Sequence, residues 1–251
     1  MTSIHLRNIS KSFAGMSVLN DISRAVGAGE FVALFGPNGC GKSTLLSMIA
    51  GLEQPDSGEI TLAGASGSAP RTGFVFQNYN ESMLPWRTAA GNVELALEAQ
   101  GVPRSERRAR ARALLETVGL GGSCDEYFHR LSGGMKQLTA ICRALAPDPD
   151  VLLLDEPFSA LDYSTTRAME TELLRIWEQR GCTALCVSHD VDEAVYLADR
   201  VVVLSPRPAA VRGFVRINLP RPRTPDMLAS EEFFALRSEI LRLFDYEGRR
   251  P

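Results

Sequence analysis

Apolar and polar residues change their spacing several times along the chain. In "IHLRNIS", Ile4 and Leu6 alternate with His5 and Arg7, the period of a half-buried strand. "FVALF", residues 31–35, is apolar throughout, as in a parallel strand buried on both faces. A helix is expected from about Lys42 to Ala50, stopped by Gly51. "GEITL" and "GFVF" read as further strands. From about Asn78 to Arg143 the pattern is mostly helical, and one helix through "RSERRARARALLETVGL" presents Ala113, Leu114 and Val118 as its apolar face. Strand patterns return in "DVLLL", "CTALCVS" and "RVVVLS". From about residue 206 the chain is rich in Pro and Arg, and it then carries a short amphipathic helix, "SEEFFALRSEILRLF".

This succession predicts an α/β sheet domain with a helical region inserted in its middle. The expected organisation is one domain over 1–251. An α/β core occupies about 1–77 and 144–205, a helical subdomain about 78–143 and a tail 206–251. No internal repeat or long low-complexity tract interrupts it.

Composition narrows the classes. The 251 residues are 45% hydrophobic and 23% charged, an ordinary globular mix that suffices for a core. A formal net charge of −3 argues against a nucleic-acid partner. The arginines at 104, 107, 108, 110 and 112 read as a solvated helix face. "MTSIHLRNIS" lacks the basic and long apolar regions of a signal peptide, and runs such as "VLLL" are too short to span a bilayer. The five cysteines form no CxxC pair; free thiols are expected, with neither a zinc site nor a disulfide framework.

Two stretches carry chemistry. "GPNGCGKS", Gly36 to Ser43, lies between the buried strand and the helix and fits the phosphate-loop pattern. Backbone N–H groups from Asn38 to Lys42 are expected to cradle a β-phosphate at the helix start. Lys42 neutralises β/γ oxygens and Ser43 ligates Mg²⁺ in such a loop. "VLLLDEP", Val151 to Pro157, ends an apolar strand in two acids. There Asp155 is expected to hold the Mg²⁺ shell and Glu156 to orient and polarise an attacking water.

A third stretch, "LSGGMKQ", residues 131–137, places Ser132 and two glycines before a helical run, a second candidate anion site. With "DEPFSALD" after it, "VSHD" around His189 and "VFQN" around Gln77, it resembles the signature, Walker B strand, D-loop, switch histidine and Q-loop of the ATP-binding-cassette ATPases. The resemblance covers nearly the whole chain in the family's order. It implies a phosphate-loop core of ABC type with an inserted helical subdomain and a small antiparallel β region, binding ATP and Mg²⁺. It implies Glu156, His189 and Gln77 as catalytic residues, and Gly36, Pro37, Asn38, Gly39, Cys40, Gly41, Lys42, Ser43 and Thr44 as the ATP loop. It implies an aromatic stacked on adenine near the N-terminus, for which Phe13 is expected, with Val18 as apolar support, the alternative for Phe13 being an ordinary core residue. Ser43, Gln77 and Asp155 serve the metal, and Asp162 belongs to the D-loop.

In this family two cassettes pack head to tail. Leu131, Ser132, Gly133, Gly134 and Gln137 of one copy are then expected to close over the ATP of a second copy. Two positions depart from the usual signature, Leu138 where Arg is common and Cys142 where Ala is common.

"NYNESMLPWRTAAGNV", "LSPRP" and "LPRPR" resemble the importers of the nitrate, sulfonate and taurine type, some members of which carry pyrimidine precursors or bicarbonate. The resemblance implies transmembrane permease subunits, a solute-binding protein reached through them, and a peripheral place on the cytoplasmic face of the inner or plasma membrane. Met83, Leu84, Pro85 and Trp86 are the expected docking cluster, with burial under the helical subdomain as the alternative for Trp86. A non-transport cassette ATPase and a phosphoryl-transfer kinase are the rival classes. The first usually carries tandem cassettes or a coiled-coil insertion; the second lacks the signature and His189.

Overall fold

The computed structural model describes residues 1–64, 69–78, 82–159 and 161–245. Its main sheet is built on β3 (Phe31–Phe35), β5 (Thr72–Val75), β6 (Val151–Asp155), β7 (Thr183–Ser188), β8 (Arg200–Leu204) and β9 (Val211–Arg216). The strand order is β5-β6-β7-β3-β8-β9. All neighbours are parallel except β8 and β9, which pair antiparallel. A second sheet of three antiparallel strands has the order β2-β1-β4, from β1 (Thr2–Phe13), β2 (Met16–Val26) and β4 (Ser57–Gly64).

The continuous apolar runs are explained by where alternate side chains go. Phe31, Ala33 and Phe35 enter one core, whereas Val32 and Leu34 enter the other, because successive strand side chains point to opposite faces. Leu152 and Leu154 likewise part from Val151 and Leu153. One core lies between the main sheet, the small sheet and α1 (Lys42–Ile49). The other joins the sheet to α2 (Ala89–Ala99), α3 (Arg104–Thr117), α4 (Gly133–Leu145), α5 (Tyr163–Arg180), α6 (Val191–Leu197) and α7 (Glu231–Asp245). Each fully buried Leu or Val contributes about 1.5–3 kcal/mol of transfer free energy.

Two sequence expectations are corrected. On α3 the buried residues are Ala111, Leu114 and Leu115, with Val118 at the cap, while Ala113 is exposed. Ala111 starts the i, i+3, i+4, i+7 spacing that holds both leucines and Val118, and Ala113 lies off that stripe. The main sheet also does not end near residue 205. β9, "VRGFVR", adds an edge strand inside the stretch read as tail. Val215 is its one fully buried side chain, and Gly213 lies against Leu243 of α7. All five cysteines are buried free thiols. Among the described residues no helix is long and apolar enough to cross a membrane.

Candidate active site

Strand register brings the chemistry together. Phe35 pairs with Ser188 and Asp155 with Val187. The phosphate loop, the acidic strand end and His189 therefore leave the sheet at one carboxyl edge, where open parallel sheets place their ligand sites.

The loop from Gly36 turns into α1 at Gly41, whose φ is 112°. A Cβ there would stand 2.8 Å from both Val18 and Leu19 side-chain carbons, so backbone conformation and neighbours both require glycine. Val18, 3% exposed, thus supports the loop from beneath. Lys42 is buried, and its Nζ donates to the carbonyls of Gly36 at 2.8 Å and Pro37 at 3.0 Å. Cys40 turns its thiol inward and its N–H donates to Pro37 O. Asn38, Gly39 and Ser43 are exposed and Thr44 is half-buried.

The Ser43 hydroxyl donates to Asp155 Oδ1 at 2.9 Å. Burial pushes the Asp155 carboxyl above its usual range, opposed by the Ser43 bond, with the Glu156 charge adding to the rise. Glu156 sits at φ 44°, a left-handed conformation that side chains rarely adopt. It is fixed there by its N–H, which donates to Val187 O at 3.1 Å. One Glu156 oxygen, Oε2, accepts from Gln77 Nε2 at 3.1 Å and lies 3.2 Å from His189 Nδ1. Three residues far apart in sequence thus meet at one atom. An open cleft of about 510 Å³ runs past Asp155, Gln77, Ser82 and Arg143. Hard oxygen ligands at Ser43 and Asp155 beside an amide fit Mg²⁺ chemistry.

Phe13 is 45% exposed, with Lys11 Nζ 5.1 Å from its ring centroid. An ordinary core position is thereby excluded; the ring is open to a stacking partner. The loop 205–210 adds a neighbour that no motif announced. Arg207 Nη2 would lie 3.8 Å from a Cβ on Gly39, and Ala209 is hydrogen-bonded to Val18 and Asn20.

The segment "LSGGMKQ" is elsewhere. Ser132 is exposed and caps α4, its Oγ accepting from Met135 N at 3.4 Å. Gly133 is exposed. At Gly134 a Cβ would come within 3.0 Å of the Thr165 methyl, so the glycine lets α4 approach α5. Leu131 and Gln137 are buried, and both amide atoms of Gln137 lack a hydrogen-bond partner. This corrects the expectation that both side chains reach a second copy's ATP: they face this chain's own core. Asp162 is exposed and caps α5 through Thr165 N at 3.0 Å. The hydroxyl and N–H of Thr165, with the Ser164 hydroxyl, hold its carboxyl well below the usual range.

The "MLPW" cluster divides. Met83 is buried and belongs to the core, Leu84 is half-buried, and Pro85 and Trp86 are exposed, Trp86 to 69%. Docking by Met83 is therefore corrected, and burial of Trp86 is excluded. Asn92, not singled out from sequence, is fully buried and holds this turn. Its side chain accepts from Leu84 N at 2.8 Å and donates to Leu84 O at 3.0 Å and Thr88 O at 3.1 Å. His129, which carried no pattern, lies 3.3 Å from Pro85 O through Nδ1.

A phosphate loop, an acidic strand end and a carboxylate held by Gln and His define a phosphate-loop ATPase site. Residues 19–159 match the ABC transporter family model, and the chain belongs to that family. It is 43% identical over 97% of its length to an uncharacterized ABC transporter ATP-binding protein, MJ0412, of Methanocaldococcus jannaschii, covering 92% of that protein. It is also 45% identical to the nitrate import ATP-binding protein NrtC of Synechococcus elongatus, over 92% of this chain and 36% of NrtC. The bicarbonate transport ATP-binding protein CmpC of the same organism is 42% identical over 98% of this chain and 38% of CmpC. The fold is similar to the dimeric structure of MJ0796, a bacterial ABC transporter cassette, with a TM-score of 0.75 and 31% identity over 86% of this chain and all of that one. The protein is an ABC ATPase subunit.

Proposed function

We propose that this chain powers an ABC importer of a small anion of the nitrate, sulfonate or taurine type. The carrying observation is Glu156, held by Gln77 and His189 beside the Ser43–Asp155 pair. Backbone N–H groups from Asn38 to Lys42 and the Lys42 ammonium bind the β- and γ-phosphates, and Phe13 stacks on adenine. Ser43 and Asp155, with Gln77, hold Mg²⁺, which supplies charge neutralisation on the phosphate oxygens. Glu156 takes the proton of the attacking water, and His189 orients it against the γ-phosphate. Two copies pack head to tail, and Ser132, Gly133 and Gly134 of each cap the other's γ-phosphate, while Asp162 lies in the contact between them. Pro85 and Trp86 receive transmembrane permease subunits, which connect to a solute-binding protein. The chain then sits peripherally on the cytoplasmic face of the inner or plasma membrane.

Glu156→Gln tests this reading. The amide keeps the hydrogen bonds but cannot take the proton, so ATP binding persists while turnover falls by ~10²-fold or more. Turnover within threefold of the parent would remove Glu156 from its role. Identity to CmpC also favours bicarbonate as a second cargo. Vesicle uptake of labelled nitrate and of bicarbonate by the reconstituted importer separates the two.

A further inference from the structure

α6 begins two residues after His189 and spans only Val191–Leu197. So short a helix has little stability of its own. His189 is therefore fixed on one side by β7 and on the other by whatever holds α6. Asp190 caps the start, accepting from Asp192 N at 2.8 Å. The far end is closed by the Pro-Arg segment of the tail.

Arg223 is buried, and its two terminal nitrogens donate to Val195 O and Ala198 O, each at 3.2 Å. Arg221 donates to Leu197 O at 2.8 Å and to Asp199 Oδ1 at 2.8 Å, and stacks on Trp177 with 4.5 Å from guanidinium carbon to ring centroid. Two cations thus occupy carbonyls that a helix end leaves unsatisfied, where its dipole favours positive charge. The Tyr196 hydroxyl donates back to Arg223 O at 3.4 Å. At the opposite end Arg237 Nε of α7 lies 2.9 Å from Asp192 Oδ1, a charge contact whose alignment is too poor for a hydrogen bond. Burial pushes the Arg223 guanidinium down to about 10, aided by the Arg221 charge, and it still carries its proton at neutral pH.

We propose that the segment 217–237 is a clamp on α6, and that Arg223 is a positioning residue that sets His189 against Glu156. The inference rests on the catalytic reading of His189. Asp199 extends the clamp to the phosphate loop's own strand, because its Oδ2 accepts from Phe31 N at 2.9 Å while Oδ1 holds Arg221. The Pro-Arg repeat, silent as a motif, thereby acquires a place in the ATPase cycle.

The test compares Arg223→Ala, Arg223→Lys, Arg237→Ala and His189→Ala in the full chain. Turnover, ATP affinity by a fluorescent ATP analogue and melting temperature are measured for each. Arg223→Ala is expected to lower kcat about tenfold, within the loss that misplacement of a catalytic group by an ångström can produce. ATP affinity stays within twofold, since the phosphate loop is untouched. Arg223→Lys restores part of kcat, because an ammonium can still reach one carbonyl. In the His189→Ala background, Arg223→Ala produces no further loss. A folded Arg223→Ala protein with parental kcat overturns the clamp, as does a further tenfold loss on top of His189→Ala. Should Arg223→Ala fail to fold, Arg237→Ala decides by the same split: a threefold or larger fall in kcat at constant affinity supports the clamp, and parental kcat overturns it. His189→Ala with parental turnover would instead sink the catalytic reading of His189 itself, a result distinct from failure of the clamp alone.

Discussion

Asn92→Ala should unfold the turn that carries Pro85 and Trp86 from within. Deleting the amide removes the acceptor for Leu84 N and the donor for Leu84 O, Arg87 O and Thr88 O. The three carbonyls retain other partners, Arg87 N for Leu84 O, Phe128 N for Arg87 O and Asn92's own backbone N–H for Thr88 O. Only the Leu84 N–H is orphaned. An orphaned buried donor costs about 1–3 kcal/mol, and the lost net contribution of the other bonds adds about 1 kcal/mol. The expected loss is about 2–4 kcal/mol in total, which at this chain length lowers Tm by roughly 4–16 °C. Calorimetry of the isolated subunit, with and without ATP, measures it. The same variant should lose co-purification with permease subunits before it loses ATP binding, because Asn92 touches no phosphate-loop residue. A Tm within about 1 °C of the parent would refute the reasoning, since it would mean that water or backbone relaxation satisfies Leu84 N at no cost.

Three further outcomes are expected. Trp86→Ala should leave the ATPase rate of the isolated subunit within twofold and reduce permease co-purification; parental co-purification would remove the exposed Trp86 from the proposed docking surface. Glu170 is fully buried, and burial raises its carboxyl from 4.5 to about 7 against the opposing pull of Arg167. The folded state therefore holds a proton that the unfolded state has released, so this group's contribution falls as pH rises from about 4.5 to about 7. Glu170→Gln should raise stability at pH 8 by about 3 kcal/mol relative to its effect at pH 4.5, read by urea unfolding at both pH values. Finally, Lys42→Ala and Ser132→Arg, each inactive alone, should regain up to one active site per dimer when differently tagged copies are mixed and purified as the heterodimer. Phosphate release no higher than from either variant alone would exclude the head-to-tail arrangement, provided that a parental pair prepared in the same way is active.

What the sequence disclosed follows from where partners lie in the chain. The phosphate loop and the acidic strand end are contiguous, so their residue types state their chemistry directly. Gln77, Glu156 and His189 could be listed from motifs, but only sheet register places them on one oxygen. Leu131 and Gln137 were misread because a motif spells residues without stating which side chains turn inward. Asn92 and Arg223 escaped for a different reason: each satisfies backbone carbonyls, which every residue possesses, so no letter in the sequence marks the partner. β9 was hidden because its alternation is short and broken by Gly213, and its pairing with β8 crosses a Pro-rich turn.

The phosphate loop hangs from β3, and β3 is flanked by β7 and β8 well inside the six-stranded sheet. Backbone amides in such a strand exchange with solvent only when the whole domain opens, whereas those of exposed turns exchange through small local openings. In deuterium exchange the strand beneath the nucleotide should therefore be among the last segments to label, and the Trp86 turn among the first. Mechanically, the base of the ATP site behaves as a stiff anvil. The strand that carries the phosphate loop is thus the part of the site least able to fray.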